Sequence, residues 1–493
     1  MIAPGTILSS SPDWTLRVPQ GVWEEMHAHL DPGDGDEHGG ALLCGVAASS
    51  RGGRLLARCF IAAVDGIDYI PGTVGHRALT ASFIRRATRT AAALGLGYVA
   101  VHNHGYGASV AFSPTDMASH ERGYPALLDL LAGQPAGALV VAGGPRGVAA
   151  GDLWHADGTR TDLRDVTVIG GNIRSITDGR RRPTLPALSP VDDRSTRLLG
   201  ASGLAQLRAA RIAVIGCGGA GLLAVEYLAR LGVGHLLLVD PDVVDETNLP
   251  RLTGARRLDA LPWLRRDGRP GWLQDLGVRM ATPKVRLARR VARRASSVTT
   301  VTTIQADVTE REVAQALTEC DFIVLAADTA DARHLVNAVV QQYLVPAVQV
   351  GVKATVDETG ALTDAFATAR PIGPGHGCLW CQGLVTSATL AAQLQPQERR
   401  AAAHYGTGDA APAVITLNAI AVGVATSYVM LALAGRLEDG DHPAFRFHPQ
   451  APKPKLSVPR RDRSCPQCSD TEPQSRLGRG DAMDLPVKWR SAV

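Results

Sequence analysis

The chain has 493 residues, a formal net charge of +4, and aromatic residues at only 4%. A chain of this length can fold into two or three domains, each with its own core. So small a positive excess gives no case for nucleic acid or an acidic membrane as the partner, and we expect neither. The N-terminal "MIAPGTILSSSPDW" lacks the basic and apolar regions of a secretory signal, so we expect a cytoplasmic protein.

One segment is apolar enough to suggest a membrane span. Residues 411–435 carry no charge and are about long enough to cross a bilayer. Pro412, Asn418 and Thr426 dilute the segment, and a buried core helix of an α/β domain fits it at least as well. We interpret it as a core helix.

Apolar runs and turn residues divide the chain into an α/β protein of two domains. Residues 1–165 contain strand-like runs such as "GALLCGV" and "LGYVAVHNH", and 166–190 are polar and rich in Pro and Arg, as a linker is. Residues 191–470 alternate short apolar strands with helical patterns, which predicts a parallel, doubly wound sheet. The polar residues 471–493 are predicted to be disordered.

The stretch "VHNHGYGASVAFSPTD" suggests a metal site in the first domain. His102 and His104 are two residues apart on a predicted strand, so both rings point to the same side. Asp116 follows where Ser113 or Pro114 could begin a helix that turns the carboxylate back toward them. Two histidines and a carboxylate leave a tetrahedral zinc with one open position. The alternative is a polar loop with solvated histidines.

These residues resemble the JAMM (JAB/MPN) metalloprotease family. The family pattern is an upstream Glu, then His-x-His-Pro and Ser-x-x-Asp, and Glu37 in "EHGGALLCG" matches the upstream acid. The resemblance implies that His102, His104 and Asp116 hold zinc, that Glu37 takes a proton from water, and that Ser113 stabilises the oxyanion. Gly105 stands where the family has Pro, and eight residues instead of seven separate His104 from Ser113.

A glycine-rich loop opens the second domain. "IGCGGAG" follows the apolar run "RIAV" and precedes a helical pattern, so its glycines let the backbone approach a phosphate at a helix N-terminus. Asp240 ends the next strand, 24 residues after Gly216, where it can reach a ribose hydroxyl. Alone, this pattern favours an NAD-dependent enzyme. The later Asn248, Arg251, Lys284 and Asp328 favour a triphosphate with magnesium.

The second domain resembles the ThiF-like adenylyltransferases, the fold of ubiquitin-activating enzymes and sulfur-carrier activators. The matching elements are the entry segment "DDRSTRLLGASGLAQL", the glycine loop, "DxDxVxxxNLxR", the lysine, and the aspartate after the fourth strand. Leu252 replaces a usual Gln, and about twenty residues are inserted before Lys284. The resemblance implies a Rossmann-like fold and a homodimer in which Arg194 reaches the partner's γ-phosphate. It also assigns Asp328 to magnesium, and to ATP it assigns Gly216, Gly218, Gly219, Gly221, Asp240, Asn248, Arg251 and Lys284.

Four of the eight cysteines form two Cys-x-x-Cys pairs, Cys378/Cys381 and Cys465/Cys468. Each pair can present two thiolates to one tetrahedral ion, so we predict a structural zinc in preference to redox chemistry. No cysteine occurs in 352–377, where the ThiF-like family usually places its nucleophile. We therefore predict adenylation without a stable thioester on this chain.

The two resemblances together suggest one substrate, a small ubiquitin-like or sulfur-carrier protein. The first domain would cleave a peptide or isopeptide bond of that protein, and the second would adenylate its C-terminal carboxylate, with a conjugating enzyme as a possible further partner. One alternative is sulfur-carrier-dependent biosynthesis of a small molecule. Another is an activating enzyme with a non-catalytic MPN-type scaffold domain.

Overall fold

The computed structural model describes residues 13–71, 77–144, 147–155, 157–177, 190–357, 359–393, 414–438, 440, 442–451 and 453–488. Contacts within the chain define two compact units. The first comprises residues 1–184, 341–344 and 463–484, and the second comprises 185–340, 345–462 and 485–493.

The first unit is built on one sheet of eight strands. The strands are β1 (Trp14–Pro19), β2 (Gly39–Ser49), β3 (Gly52–Ala62), β4 (Gly97–Tyr106), β5 (Ala136–Gly143), β6 (Val148–Trp154), β7 (Arg160–Ile169) and β8 (Ile173–Ser175). Their order is β1-β3-β2-β4-β5-β6-β7-β8, and β1 also pairs in parallel with β7. This pairing closes seven strands into a barrel, a closure that the strand patterns did not indicate.

Among the described residues, three helices cover the two faces of this sheet: α1 (Gln20–Leu30), α2 (Ala81–Leu94) and α3 (Pro114–Leu130). Leu42 of β2 shares a core cluster with Met26 of α1. The next residue, Leu43, shares the other cluster with Phe83 of α2 and Leu127 of α3. Because successive strand residues face opposite sides, β2 is buried on both faces. The expected α/β content is present, arranged as a barrel with helices.

The linker and the tail differ from the predictions. Residues 166–175 lie largely in β7 and β8, where the Asp165 carboxylate accepts hydrogen bonds from Ser175 and Thr177, while 178–189 lie outside the described residues. The predicted disordered tail is wrong for residues 471–484. Arg58 is fully buried on β3. It donates hydrogen bonds to the backbone carbonyl oxygens of Glu472, Ser475 and Leu477 in this segment.

The second unit contains the predicted doubly wound sheet. Its strands are β9 (Arg211–Ile215), β10 (His235–Val239), β11 (Thr300–Ile304), β12 (Phe322–Leu325), β13 (Ala347–Val356), β14 (Leu362–Ile372), β15 (Ala444–Phe447) and β16 (Lys455–Ser457). The order is β11-β10-β9-β12-β13-β14-β15-β16, with parallel pairing from β11 to β13 and antiparallel pairing beyond. The strand order reverses between β9 and β12, which is where ligands bind in such sheets.

Helices cover this sheet and form the predicted insertion. They are α4 (Asp193–Ala209), α5 (Gly219–Arg230), α6 (Arg257–Ala260), α7 (Pro262–Arg265), α8 (Gly271–Met280), α9 (Lys284–Ala295), α10 (Arg311–Thr318), α11 (Ala330–Tyr343), α12 (Ser387–Gln393) and α13 (Ile415–Leu433). The insertion before Lys284 contains α6 to α8. By length and composition α13 could cross a membrane, yet it packs against α5, β13 and β14, in agreement with the interpretation as a core helix.

Candidate functional site

The end of β4 and the start of α3 bring the predicted zinc ligands of the first unit together. His102 and His104 project from the same side of β4, and their Nε2 atoms lie 3.1 Å apart. Asp116 Oδ1 lies 3.5 Å from His102 Nε2, and Asp116 Oδ2 lies 3.3 Å from His104 Nε2. Two ligands each about 2.0–2.1 Å from a tetrahedral ion stand about 3.4 Å apart, so the three side chains fit a zinc ion.

Ser113 fixes the direction of Asp116. It is the N-cap of α3, and its hydroxyl accepts from the Asp116 backbone N–H and donates to Asp116 Oδ2 at 2.7 Å. The same oxygen accepts from the Ser113 N–H, which completes a capping box. Burial would raise the pKa of Asp116, but hydrogen bonds to His102 and His104 outweigh it and hold that pKa below its usual value. The carboxylate is therefore charged and aimed at the histidines.

Glu37 lies in the loop before β2, with its Oε1 3.8 Å from His104 Nε2. Its two neighbours in sequence, Asp36 and His38, form hydrogen bonds with Asn103, the residue between the two histidines. Asn103 Oδ1 accepts from the His38 N–H at 2.5 Å, and Asn103 Nδ2 donates to the Asp36 carbonyl at 3.4 Å. Asn103 was not predicted from the sequence, although its place between two predicted ligands was a usable signal.

The glycine that replaces the family's proline has a local structural reason. Gly105 adopts φ +41°, in the left-handed region, and a proline ring fixes φ near −65°. The chain therefore leaves β4 along a path that proline cannot take. The longer loop that follows ends at Ser113, and the Ala111 carbonyl in that loop accepts a hydrogen bond from His104 Nδ1 at 3.2 Å.

In the second unit the predicted nucleotide residues meet at the carboxyl ends of β9, β10 and β12. Gly216 follows β9 with φ +86°, and a Cβ there would lie 2.9 Å from Ala327 N. A Cβ on Gly221 would lie 1.8 Å from Gly216 O, so these two glycines allow the tight strand-to-helix turn. Gly218 has open space around it, and Gly219 lies beside the Arg251 side chain.

Asp240 is buried at the end of β10 and orders the glycine loop. Its Oδ2 accepts from the Cys217 N–H at 2.6 Å, and its Oδ1 accepts from the Asp242 N–H at 2.8 Å. Burial raises the pKa of Asp240, opposed by the positive charge of Lys284. Lys284 begins α9, and its Nζ contacts Asp242 Oδ2 at 2.7 Å. Asp242 is a partner that the sequence analysis did not single out.

The other residues predicted to bind ATP or magnesium lie in loops or near helix ends of the second unit. Asn248 ends a short 3₁₀ helix, and Arg251 Nη1 donates to the Thr247 carbonyl at 2.9 Å. Asp328 is exposed just beyond β12, and no cationic side chain in the described part of the chain lies within 4 Å of its carboxylate. Arg194 is exposed near the start of α4.

The four predicted zinc thiols also come together. The Sγ atoms of Cys378, Cys381, Cys465 and Cys468 all lie within 4.8 Å of one another, and those of Cys378 and Cys381 are 3.8 Å apart. With Zn–S bonds of about 2.3 Å, a tetrahedral site has S···S distances of about 3.8 Å, so the thiols fit a structural zinc.

Comparisons with known proteins identify the family of the second unit. Residues 193–468, more than half of the chain, match the ThiF family, and the chain belongs to that family. The SAMP-activating enzyme E1 of Haloferax volcanii is 31% identical over 182 residues, which are 37% of this chain and 57% of that protein. The sulfur carrier protein ThiS adenylyltransferase of Bacillus subtilis is 28% identical over 184 residues, 37% of this chain and 46% of that protein.

The chain thus spans about half the length of these two relatives. A crystal structure of Escherichia coli MccB with MccA-N7isoASN matches 57% of this chain and 76% of that chain, with a TM-score of 0.44 and 17% identity. The ThiF match begins at residue 193, so the predicted zinc site of the first unit lies outside it.

Proposed function

We propose that the second unit uses ATP to adenylate the C-terminal carboxylate of a small ubiquitin-like or sulfur-carrier protein. The observation that carries this proposal is the meeting of Gly216, Asp240, Lys284 and Asp328 at the switch point of a ThiF-family sheet. The names of the Haloferax and Bacillus relatives describe activation of SAMP and adenylation of ThiS. Both kinds of activity support the same reaction here.

In this reaction a carboxylate oxygen attacks the α-phosphorus of ATP. The bond between that phosphorus and the bridging oxygen to the β-phosphate breaks, which yields an acyl-adenylate and pyrophosphate. Asp240 would accept from the ribose, while Arg251 and Lys284 would neutralise negative charge on the phosphates. Asp328, whose carboxylate forms no ion pair within 4 Å with a described cation although Arg333 is near enough to interact with it, would hold magnesium, which supplies further neutralisation when bound.

The cysteines support transfer of the acyl group to an acceptor outside this chain. Cys44, Cys217 and Cys320 are fully buried, and burial raises the pKa of the Cys44, Cys59 and Cys217 thiols. A buried thiol with a raised pKa is a poor nucleophile. The proposed acceptor is therefore a partner's cysteine, a sulfur donor or an amine, with a conjugating enzyme among the candidates. A cytoplasmic homodimer, with the exposed Arg194 reaching its partner, belongs to the same proposal.

The adenylation proposal is tested first without a carrier. Binding of Mg-ATP to wild type, to Lys284→Met and to the matched control Arg279→Met is measured by equilibrium dialysis. Lys284→Met should weaken Mg-ATP binding at least tenfold, or about 1.4 kcal/mol, whereas Arg279→Met, at an exposed position, should leave binding unchanged. Pyrophosphate release with a carrier that has a free Gly-Gly end should then be lost in Asp328→Ala. Unchanged release in that variant would exclude the assigned role.

A second activity, zinc-dependent cleavage of a peptide or isopeptide bond, is supported by the geometry of His102, His104 and Asp116. Zinc bound there would polarise the scissile carbonyl and lower the pKa of water. Glu37 would take the proton of the attacking water and return it to the leaving amine. Ser113, beside Asp116, would donate to the developing oxyanion. The bond that forms joins water oxygen to the carbonyl carbon, and the bond that breaks is the C–N bond.

Zinc content per chain tests both metal sites. Wild type should hold about two zinc ions, and His102→Ala and Cys378→Ser should each hold about one. Wild type with about one ion, unaffected by His102→Ala, would support a first unit without a metal, which is the scaffold alternative.

A further inference from the structure

One face of the second unit's sheet carries a row of cationic side chains. In register, Gln349 of β13 is opposite Arg370 of β14, Thr368 of β14 is opposite Arg446 of β15, and Arg446 is opposite Lys455 of β16. Opposed residues, and residues two apart on a strand, point to the same side of a sheet. We call this surface the cationic face and define it by Lys353, Arg370, Arg446 and Lys455.

The opposite side of the same strands is apolar and covered. Ala365, Ala367 and Ala369 of β14 are buried there, and α13 is the helix that packs broadly against β13 and β14 among those described. The cationic face runs from a buried inner end at Arg370, which is 7% exposed, to an exposed outer end at Lys455.

The inner end lies beside the proposed ATP site. Gln349 is opposite Leu325, the last residue of β12, and Asp328 follows three residues later. Arg370 Nη1 donates to Gln349 Oε1 at 2.6 Å, while Arg370 Nε is buried without a hydrogen-bond partner among the described residues. An unsatisfied buried donor costs free energy that an incoming acceptor would recover.

The cations of this face have no carboxylate partners in the described parts of the chain. No ion pair within 4 Å involves Lys353, Arg370, Arg446 or Lys455, and the nearby Asp364 faces His448 at 3.6 Å. The guanidinium of Arg446 lies 4.5 Å from the centre of the Phe366 ring. The pKa of Arg370 is lowered to about 10, by burial and then by the positive charges of Arg446 and Arg333. Several like charges thus share this surface, and Asp364, which lies on the same side of β14, is within 4 Å of His448 and not of any of them.

We propose that the cationic face binds the extended, acidic C-terminal segment of the protein that the second unit adenylates. The inference rests on the proposed adenylation. Acidic side chains of the segment pair with Arg446 and Lys455, and its terminal carboxylate reaches the ATP site past Arg370. From β13 to β16 the sheet spans three strand spacings, about 14 Å, which an extended segment of about four residues crosses.

A peptide suits this face better than RNA does. The row is about 14 Å long, and the Phe366 ring beside it already contacts the Arg446 guanidinium and the His448 ring, which leaves less of it for base stacking. The chain's net charge of +4 is also small for a nucleic-acid-binding protein of this length.

Labelled ten-residue peptides test the proposal with the full chain, Mg²⁺ and a non-hydrolysable ATP analogue. One peptide has Asp and Glu at the four positions before a free Gly-Gly end, a second has Lys there, and a third is the acidic peptide with a C-terminal amide. Fluorescence anisotropy should show the acidic peptide binding at least tenfold more tightly than the basic one. Its affinity should fall as NaCl is raised, since salt screens exposed charges. The amide should bind more weakly than the free acid.

Charge reversal locates the binding surface. Arg446→Glu combined with Lys455→Glu should weaken the acidic peptide at least tenfold and favour the basic one, whereas Arg279→Glu on the exposed α8 should change neither. Lys455 is exposed and Arg446 is partly exposed, so the test does not depend on replacing the buried Arg370. Equal binding of the two peptides, no effect of the reversal, or displacement of the acidic peptide by tRNA would overturn the proposal.

The ATP analogue separates this proposal from the proposed function. If the analogue binds and the peptides are not discriminated, the cationic face proposal fails alone. If the analogue does not bind wild type, the adenylation proposal fails, and the cationic face proposal, which rests on it, fails as well.

Discussion

The side-chain oxygen of Asn103 accepts a hydrogen bond from the backbone N–H of His38 at 2.5 Å, and the Asn103 N–H donates to the His38 carbonyl at 3.2 Å. The loop that carries Glu37 is thereby joined to the strand that carries both histidines. This relationship connects the proposed proton acceptor and the proposed metal ligands through one buried amide side chain.

Replacing Asn103 with Ala should therefore separate zinc binding from the position of Glu37. The His38 N–H would be left buried without its partner, so we expect a loss of about 1–3 kcal/mol in the free energy of unfolding. Zinc content should stay at the wild-type value, because His102, His104 and Asp116 are unchanged. Urea unfolding and zinc analysis measure the two effects. Loss of zinc equal to that in His102→Ala would show that Asn103 supports the ligands themselves.

Two glycines of the glycine loop in the second unit, Gly218 and Gly221, should differ sharply in how well they tolerate replacement by Ala. A Cβ on Gly221 meets the Gly216 carbonyl at 1.8 Å, so Gly221→Ala should destabilise the second unit by about 1–3 kcal/mol or prevent its folding. A Cβ on Gly218 meets nothing within 4 Å, and Gly218→Ala should leave stability within about 0.5 kcal/mol of wild type. Thermal unfolding of the two variants compares them. Equal destabilisation would contradict the loop geometry.

His120 should make the stability of the first unit sensitive to acid. It stacks on Tyr124 at 4.7 Å between ring centres, its Nδ1 is buried without a partner among the described residues, and burial lowers its pKa to about 4. In the unfolded chain the pKa of His120 is near 6.5. Between about pH 6.5 and pH 4, His120 is therefore protonated in the unfolded chain and neutral in the folded chain. Stability should therefore fall as pH drops from about 6.5 toward 4, by on the order of 1 kcal/mol.

The variant His120→Phe provides the control for this pH dependence. It keeps an aromatic ring against Tyr124 and removes the titrating group. Urea midpoints measured at pH 7 and at pH 5 should differ less in the variant than in wild type. An identical pH dependence in both would assign the effect to other groups.

Replacing Arg58 with Leu should free the segment 471–484. Three carbonyl groups and the Ser475 hydroxyl would lose a buried donor, and the expected cost is about 3–5 kcal/mol. Limited proteolysis should then cut this segment faster than in wild type. Arg85, exposed on α2, supplies the matched control Arg85→Leu, which should be cut at the wild-type rate. Equal rates in the two variants would show that Arg58 does not hold the segment.

Local patterns predicted most of the second unit and the two groups of side chains that lie close enough to hold a metal ion. The glycine loop, Asp240 and the strand before Asp328 follow from short-range apolar and glycine spacing, and the structure places them at one sheet edge. Closure of the barrel was not predictable in the same way, because the partner of Thr15 is Asp165 and no short pattern links them. The sequence did not predict that residues 471–484 are ordered. Backbone carbonyl groups hold this segment to Arg58, and amino-acid composition does not reveal such contacts.

The interleaved course of the chain has a consequence for the order of synthesis. Arg58 belongs to the third strand made, whereas its acceptors at 472–477 emerge after more than four hundred further residues. During translation Arg58 has none of these acceptors until the ThiF-family unit has been synthesised. A chain that stops before residue 463 therefore keeps all seven barrel strands but lacks the segment that binds Arg58, and we expect such a product to be less stable and more readily cut by proteases.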